Sequence, residues 1–226
     1  MILAIDTSGA TASVAIYEDQ VLAELTWHSG RKHSAQLLPA IEQALALAQV
    51  DKQSLSAIGV AIGPGSYSGL RVGVSTAMAM ALALDRPVAQ VPTLDVITWS
   101  QACPHQSSAT TARGMLVRAA IDVGRGRFAS ARIRAVEGQL EHESDIENVA
   151  LHELGELAAR EHSVLAVDLD PQSRQTIEQE FEGRVELAGP AACARRAGFL
   201  AELAAIKMKR GELVGDEAVE PIYLRN

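Results

Sequence analysis

Between Ala57 and Leu84 the chain leaves few choices of fold. An apolar run over 57–62, broken only by Gly59, leads into Gly63-Pro64-Gly65-Ser66-Tyr67-Ser68-Gly69-Leu70-Arg71-Val72-Gly73, and no charge follows Arg71 before Asp85. This reads as a buried strand, a glycine-rich turn and a helix over 70–84. In that geometry backbone N–H groups can face an anion at a helix N-terminus. Pro64 restricts the turn, while Gly63, Gly65 and Gly69 permit positive φ or close approach of another backbone. Three named motifs fail here on spacing. The third glycine comes one residue late for G-x-G-x-x-G, no lysine lies between Lys52 and Lys207 for a P-loop, and Tyr67 stands where a nucleophile elbow needs serine. Two readings stay open: a phosphate turn without a catalyst, or a purely structural tight turn.

The helix after the turn carries small residues every fourth position, at Gly69, Gly73, Ala77 and Ala81, with Leu70, Val74 and Met78 on the neighbouring ridge. A helix apolar all round is buried in its own core or against a partner. Small ridges let helix axes approach closely, so one face is a candidate for contact with a second protein. The run is too short and too alanine-rich to read as a membrane span, which needs roughly 20 strongly apolar residues.

A length of 226 residues suits one large or two small domains with a real core. The formal charge of −8 argues against a chain whose main task is gripping nucleic acid, because that affinity comes from Lys and Arg on phosphates. Cys103 and Cys193 are too few and too far apart for a disulfide framework or a cysteine-type zinc site, which fits a reducing, cytoplasmic setting. Met1 opens directly into a strand, so no leader is expected.

In chain order, residues 2–5 form a short strand ending at Asp6-Thr7-Ser8-Gly9. Residues 11–17 and 21–27 return as strands, and a helix over 34–48 carries Leu37, Leu38, Ile41 and Leu45, with Ser34 as its expected cap. Asp6 sits where a carboxylate could face a phosphate or its Mg²⁺, or could cap its own turn through Ser8 or Gly9 N–H. With strands at 57–62 and 87–91 and helices at 70–84 and 93–102, the order is β-β-β-α-β-α-β-α, that of a ribonuclease-H-like half. The polar stretch 104–113 reads as a linker. The opening pattern then recurs: an apolar run over 115–121 ends in Asp122, a hairpin follows, and the remaining elements read as a helix over 151–160, a strand over 164–167, a helix over 172–181 and a short strand over 184–187. Arg125, Arg127, Arg132 and Arg134 alternate as on the solvated face of a strand. A last helix opened by Gly189-Pro190 buries Phe199, Leu200, Leu203 and Ile206 and ends in Lys207, Lys209 and Arg210. The expected organisation is a first lobe over 1–103, a linker over 104–113, a smaller lobe over 114–190, and a C-terminal helix and tail over 191–226 that pack back on the first lobe.

Two α/β lobes that each open with strand–Asp–hairpin resemble the actin, sugar-kinase and Hsp70-like ATPase fold. Within it, Ile2-Leu-Ala-Ile-Asp-Thr-Ser8, His33-Ser-Ala-Gln-Leu-Leu-Pro39, the 63–73 motif and Glu220-Pro-Ile-Tyr-Leu-Arg-Asn226 resemble the TsaB (YeaZ) family. The resemblance implies a subunit needed for N6-threonylcarbamoyladenosine on tRNA next to the anticodon. The transferring enzyme would be the paralogue TsaD, with the small ATPase TsaE as a further partner, and the isolated chain would form a homodimer. It implies tRNA contact only within the complex, no catalytic residues and no metal of its own, and ATP or ADP held weakly or at the TsaD junction. TsaD carries a His-x-x-x-His pair after its fifth strand; the matching positions here are Thr93 and Ile97, and isoleucine cannot ligate a metal. The partner surface implied is His33, Leu37, Ile41, Leu45, Leu70, Gly73, Val74, Ala77, Met78 and Ala81. The candidate nucleotide or phosphate turn is Asp6, Thr7, Ser8, Gly63, Gly65, Ser66 and Gly69. The alternative is an autonomous ATPase or small-molecule kinase of the same fold, built on that turn and Asp122.

Overall fold

A computed structural model describes residues 1–30, 32–102, 114–215 and 219–223. The linker expected at 104–113 and the last three residues of the tail lie outside them. The chain divides into two units, Met1–Val96 with Arg195–Tyr223, and Ile97–Ala194.

The first unit is built on a five-stranded sheet in the order β3-β2-β1-β4-β5. Its strands are β1 (Ile2–Asp6), β2 (Thr11–Glu18), β3 (Gln20–His28), β4 (Ala57–Ala61) and β5 (Val88–Val91). Strand β2 runs antiparallel to β1 and β3 antiparallel to β2, whereas β4 lies parallel to β1, with Leu3 opposite Ile58 and Ile5 opposite Val60. A strand buried on both faces needs a continuous apolar run, and Ile2-Leu-Ala-Ile supplies it. Leu3 and Ile5 pack toward α1 (His33–Ala48) and α2 (Tyr67–Leu84). Ile2 and Ala4 pack on the other side against α7 (Ala197–Lys209).

Helix α1 begins at His33 with Lys32 as its cap, so Ser34 lies inside the helix and Pro39 sits in its interior. The last helix is two pieces. A short α6 (Pro190–Cys193) stops at Ala194, and α7 starts afresh after Arg196, which makes no side-chain capping bond. Its buried face is Ala197, Gly198, Leu200, Ala201 and Ala204, with Phe199, Leu203 and Ile206 only half-buried. The close fit is set at Gly59 on β4, where a methyl group would press on Leu200 and Ala204. Among the described residues α2 is the one helix long and apolar enough to cross a membrane by length and composition. Its inner face is packed on the sheet, as a core helix requires.

The second unit repeats the plan. Its strands are β6 (Met115–Gly124), β7 (Arg127–Val136), β8 (Gln139–His142), β9 (Glu147–Ala150), β10 (Val164–Val167) and β11 (Glu186–Leu187). The order β8-β7-β6-β10-β11 matches β3-β2-β1-β4-β5 strand for strand, with β9 as an extra partner of β7. Helices α4 (Leu151–Glu161) and α5 (Pro171–Glu180) bury Leu154, Ala158 and Ile177 against Ala120, Phe128 and Leu165. Helix α3 (Thr93–Ala102) runs across the boundary between the units. Both sheets have the strand order expected of the actin, sugar-kinase and Hsp70-like fold.

The arginines of β7 are not a free basic face. Arg132 and Arg134 both reach Glu143, and Arg132 lies 3.7 Å from Glu161. Arg127 bonds Asn148 and lies 3.6 Å from Glu153.

Candidate functional site

The residues of the expected phosphate turn come together at the C-terminal ends of β1 and β4, the edge of an open α/β sheet where ligands commonly bind. Most of their polar groups are occupied by the chain itself. Asp6 Oδ1 accepts from Ser8 N at 2.8 Å and from Ser8 Oγ at 2.6 Å, so the carboxylate caps its own turn. Thr7 Oγ1 donates to the Gly69 carbonyl at 2.7 Å, and Ser66 N donates to the Ser8 carbonyl at 2.7 Å. Asp6, Thr7, Ser8, Gly63 and Gly69 are buried; only Gly65 and Ser66 are partly open.

The four-residue ridge of α2 has its explanation here. A methyl group on Gly69 would overlap the Thr7 carbonyl, and one on Gly73 would overlap Thr7 Oγ1. Gly65 is held against Ser8 in the same way. The small residues let α2 lie directly on the β1 turn, with neither Gly69 nor Gly73 needing positive φ.

That ridge therefore faces inward, which corrects the expected partner surface at its buried residues. Leu37, Ile41, Leu70, Gly73, Val74, Ala77 and Ala81 are buried, and so is His33; Leu45 and Met78 are half-buried against the same core. Residues packed on their own sheet cannot also form an outer face. The large apolar side chains that these helices expose are Leu38 and Leu47 on α1 and Tyr67 and Leu82 on α2, from 54% to 71% exposed. On α2 they stand beside exposed Ser75, Ala79 and Ala83, so beyond Arg71 the outer face carries no charge. The 3.6-residue pattern could have given these positions, but both faces of the helix are small or apolar and periodicity did not rank them.

One residue the sequence reading passed over belongs to the turn. Arg195, in the break before α7, lies with its side chain 3% exposed and its Nε 4.0 Å from Asp6 Oδ2. Its guanidinium fills the space beside Gly9 that a side chain there would take. His33 is the third buried ionisable group of the cluster, and its Nδ1, like Asp6 Oδ2, has no hydrogen-bond partner among the described residues. Burial pushes the His33 pKa below its ordinary value; Asp6 opposes the shift and Arg195 adds to it. The sign follows. A histidine held neutral on folding binds its proton more readily in the unfolded chain, so stability falls as pH drops below about 6.5. His152 pulls the other way, because a hydrogen bond to Glu180 raises its pKa. The difference between wild type and His33→Gln isolates the first effect: chemical denaturation between pH 7 and 5 should show a shallower acid loss in the variant.

Among the described residues no three His, Cys, Asp or Glu side chains converge as metal ligands. Thr93 and Ile97 are both buried, Thr93 N donating to the Gly63 carbonyl at 2.8 Å.

Residues 20–167 match the family described as TsaD, tRNA N6-adenosine threonylcarbamoyltransferase. The tRNA threonylcarbamoyladenosine biosynthesis protein TsaB of Bacillus subtilis (strain 168) is 32% identical over 195 residues, covering 84% of this chain and 80% of that protein. The chain belongs to the TsaB (YeaZ) family. The TsaB of Escherichia coli (strain K12) is 27% identical over 225 residues, spanning 100% of this chain and 94% of its own length. In three dimensions this TsaB-family chain superposes on YeaZ from Pseudomonas aeruginosa with a TM-score of 0.77 at 25% identity, over 99% of both chains. The match to the TsaD family shows that a TsaB chain and the transferase share a common design.

Proposed function

We propose that this chain serves N6-threonylcarbamoyladenosine formation on tRNA as a non-catalytic subunit, supporting a TsaD-type transferase by direct contact. The names of its relatives place them in that biosynthesis. The observation that carries the contact is the outer face of α1 and α2, where Leu38, Leu47 and Leu82 stand exposed and the α2 surface beyond Arg71 is small and uncharged. Such a face, at the scale of about 800 Å² per partner, is what a specific complex buries. A TsaD-type partner of related fold offers comparable helices. A second copy of this chain takes the same face when the partner is missing. The ATPase TsaE joins the pair, tRNA is met only in the assembly, and the setting is cytoplasmic.

Supporting a non-catalytic role, Ile97 stands where the transferase would need a histidine, and the Asp6 turn has its hydroxyls and one carboxylate oxygen tied up internally. The test is reconstitution with TsaD and TsaE, omitting each protein in turn and measuring modified adenosine. Modification is expected only when both this chain and TsaD are present; tRNA modified by this chain alone would sink the proposal. Leu82→Arg, on an exposed position, should leave the melting temperature unchanged while weakening TsaD binding by at least about 30-fold, the scale of a lost interface hot spot. Unchanged affinity would move the contact elsewhere.

A further inference from the structure

The fold family implies a nucleotide whose phosphates and cation would meet the acid at the end of β1. The residues present do not fit that group. Asp6 is fully buried, and its Oδ1 is taken by Ser8 N and Oγ. Its other oxygen, Oδ2, faces Arg195 Nε at 4.0 Å. A divalent ion such as Mg²⁺ demands oxygen ligands at about 2.0–2.1 Å and keeps several waters, which needs room and an unshared carboxylate. Here a guanidinium already lies against Gly9 and beside Oδ2, and its positive charge would repel a second cation.

We infer that Arg195 is the resident cation of the Asp6 turn, doing from within the chain what a bound metal–phosphate would otherwise do and closing the turn to Mg²⁺–nucleotide. A buried carboxylate persists only when a positive group answers it. Three features fit that part: Gly9 leaves the space, the break at Ala194–Arg196 brings the side chain in, and α7 anchors the break by packing on β1, β2 and β4. The inference stands apart from the partner reading, because it concerns the isolated chain.

The experiment measures thermal stability and ligand binding of the isolated chain. Arg195→Met should lower Tm by about 10 °C, as expected for one partner removed from a buried pair. Adding Asp6→Asn to that variant should recover at least half of the loss, since the unanswered charge is gone while an amide oxygen still accepts from Ser8. If Arg195→Met yields no folded protein, recovery of folded, soluble protein in the double variant is the same readout. Methylguanidinium at about 10 mM should raise the Tm of Arg195→Ala and leave wild type unmoved. Calorimetry of wild type with Mg²⁺–ATP should give no saturable heat up to millimolar concentration. A double variant no better than Arg195→Met, or saturable Mg²⁺–ATP binding to wild type at micromolar concentration, overturns the inference.

Discussion

Ala77→Arg is expected to destroy the first unit rather than a binding surface. Ala77 is 0% exposed, midway along the ridge of Gly69, Gly73, Ala77 and Ala81 that α2 lays on the sheet. An arginine there needs volume that a helix seated on Thr7 cannot yield, and its charge would enter the apolar cluster that contains Ile5, Val60 and Val74. Overpacking and an unpaired buried charge act together, so a loss of about 5 kcal/mol or more is expected, comparable with the whole stability of a typical domain. Circular dichroism and soluble yield would register it. Cooperative unfolding within about 1 kcal/mol of wild type would mean that the ridge faces outward. Set beside Leu82→Arg, five residues on, the pair separates core from surface on a single helix.

The second large effect lies in the other unit. Arg118 has a side chain only 2% exposed, donating to Glu161 through Nε at 2.9 Å and to Glu147 through Nη1 at 2.6 Å. Glu161 is 12% exposed, so removing the arginine leaves a nearly buried carboxylate with Arg132 at 3.7 Å as its remaining ion-pair partner among the described residues. Arg118→Met is expected to destabilise the protein by about 3–5 kcal/mol, read as a lower denaturant midpoint. Arg118→Met with Glu161→Gln should recover part of that loss, because the stranded charge is then gone. A single variant within about 1 kcal/mol of wild type would show that water reaches the site and screens the pair.

Much of the architecture is legible in the chain because its signals are local. Ile2-Leu-Ala-Ile has the apolar continuity of a strand covered on both sides, and the two strand–Asp–hairpin openings correspond to sheets with the same strand order. What escaped depends on distance or on weak contrast. β9 has a single large apolar residue, Val149, and owes its existence to pairing with β7. The break between α6 and α7 falls in Ala-Ala-Cys-Ala-Arg-Arg-Ala, which contains no helix breaker, so only tertiary packing ends the helix there. Asp6 and Arg195 meet from opposite ends of the chain, beyond the reach of any spacing rule. On α2 the buried Gly73 and Ala77 and the exposed Ser75 and Ala79 are equally small, and only the position of Thr7 decides which side is the core.

The first unit is closed by α7, which covers Ile2, Ala4, Ala15 and Gly59 with residues from the far end of the chain. During synthesis, then, the strands made earliest must wait for α7 to leave the ribosome, while residues 97–194 of the second unit have already emerged. A premature stop shortly before Arg195 would therefore strip one face of a sheet made almost two hundred codons earlier, and the newborn N-terminal half would need shielding from aggregation until its distant cover arrives.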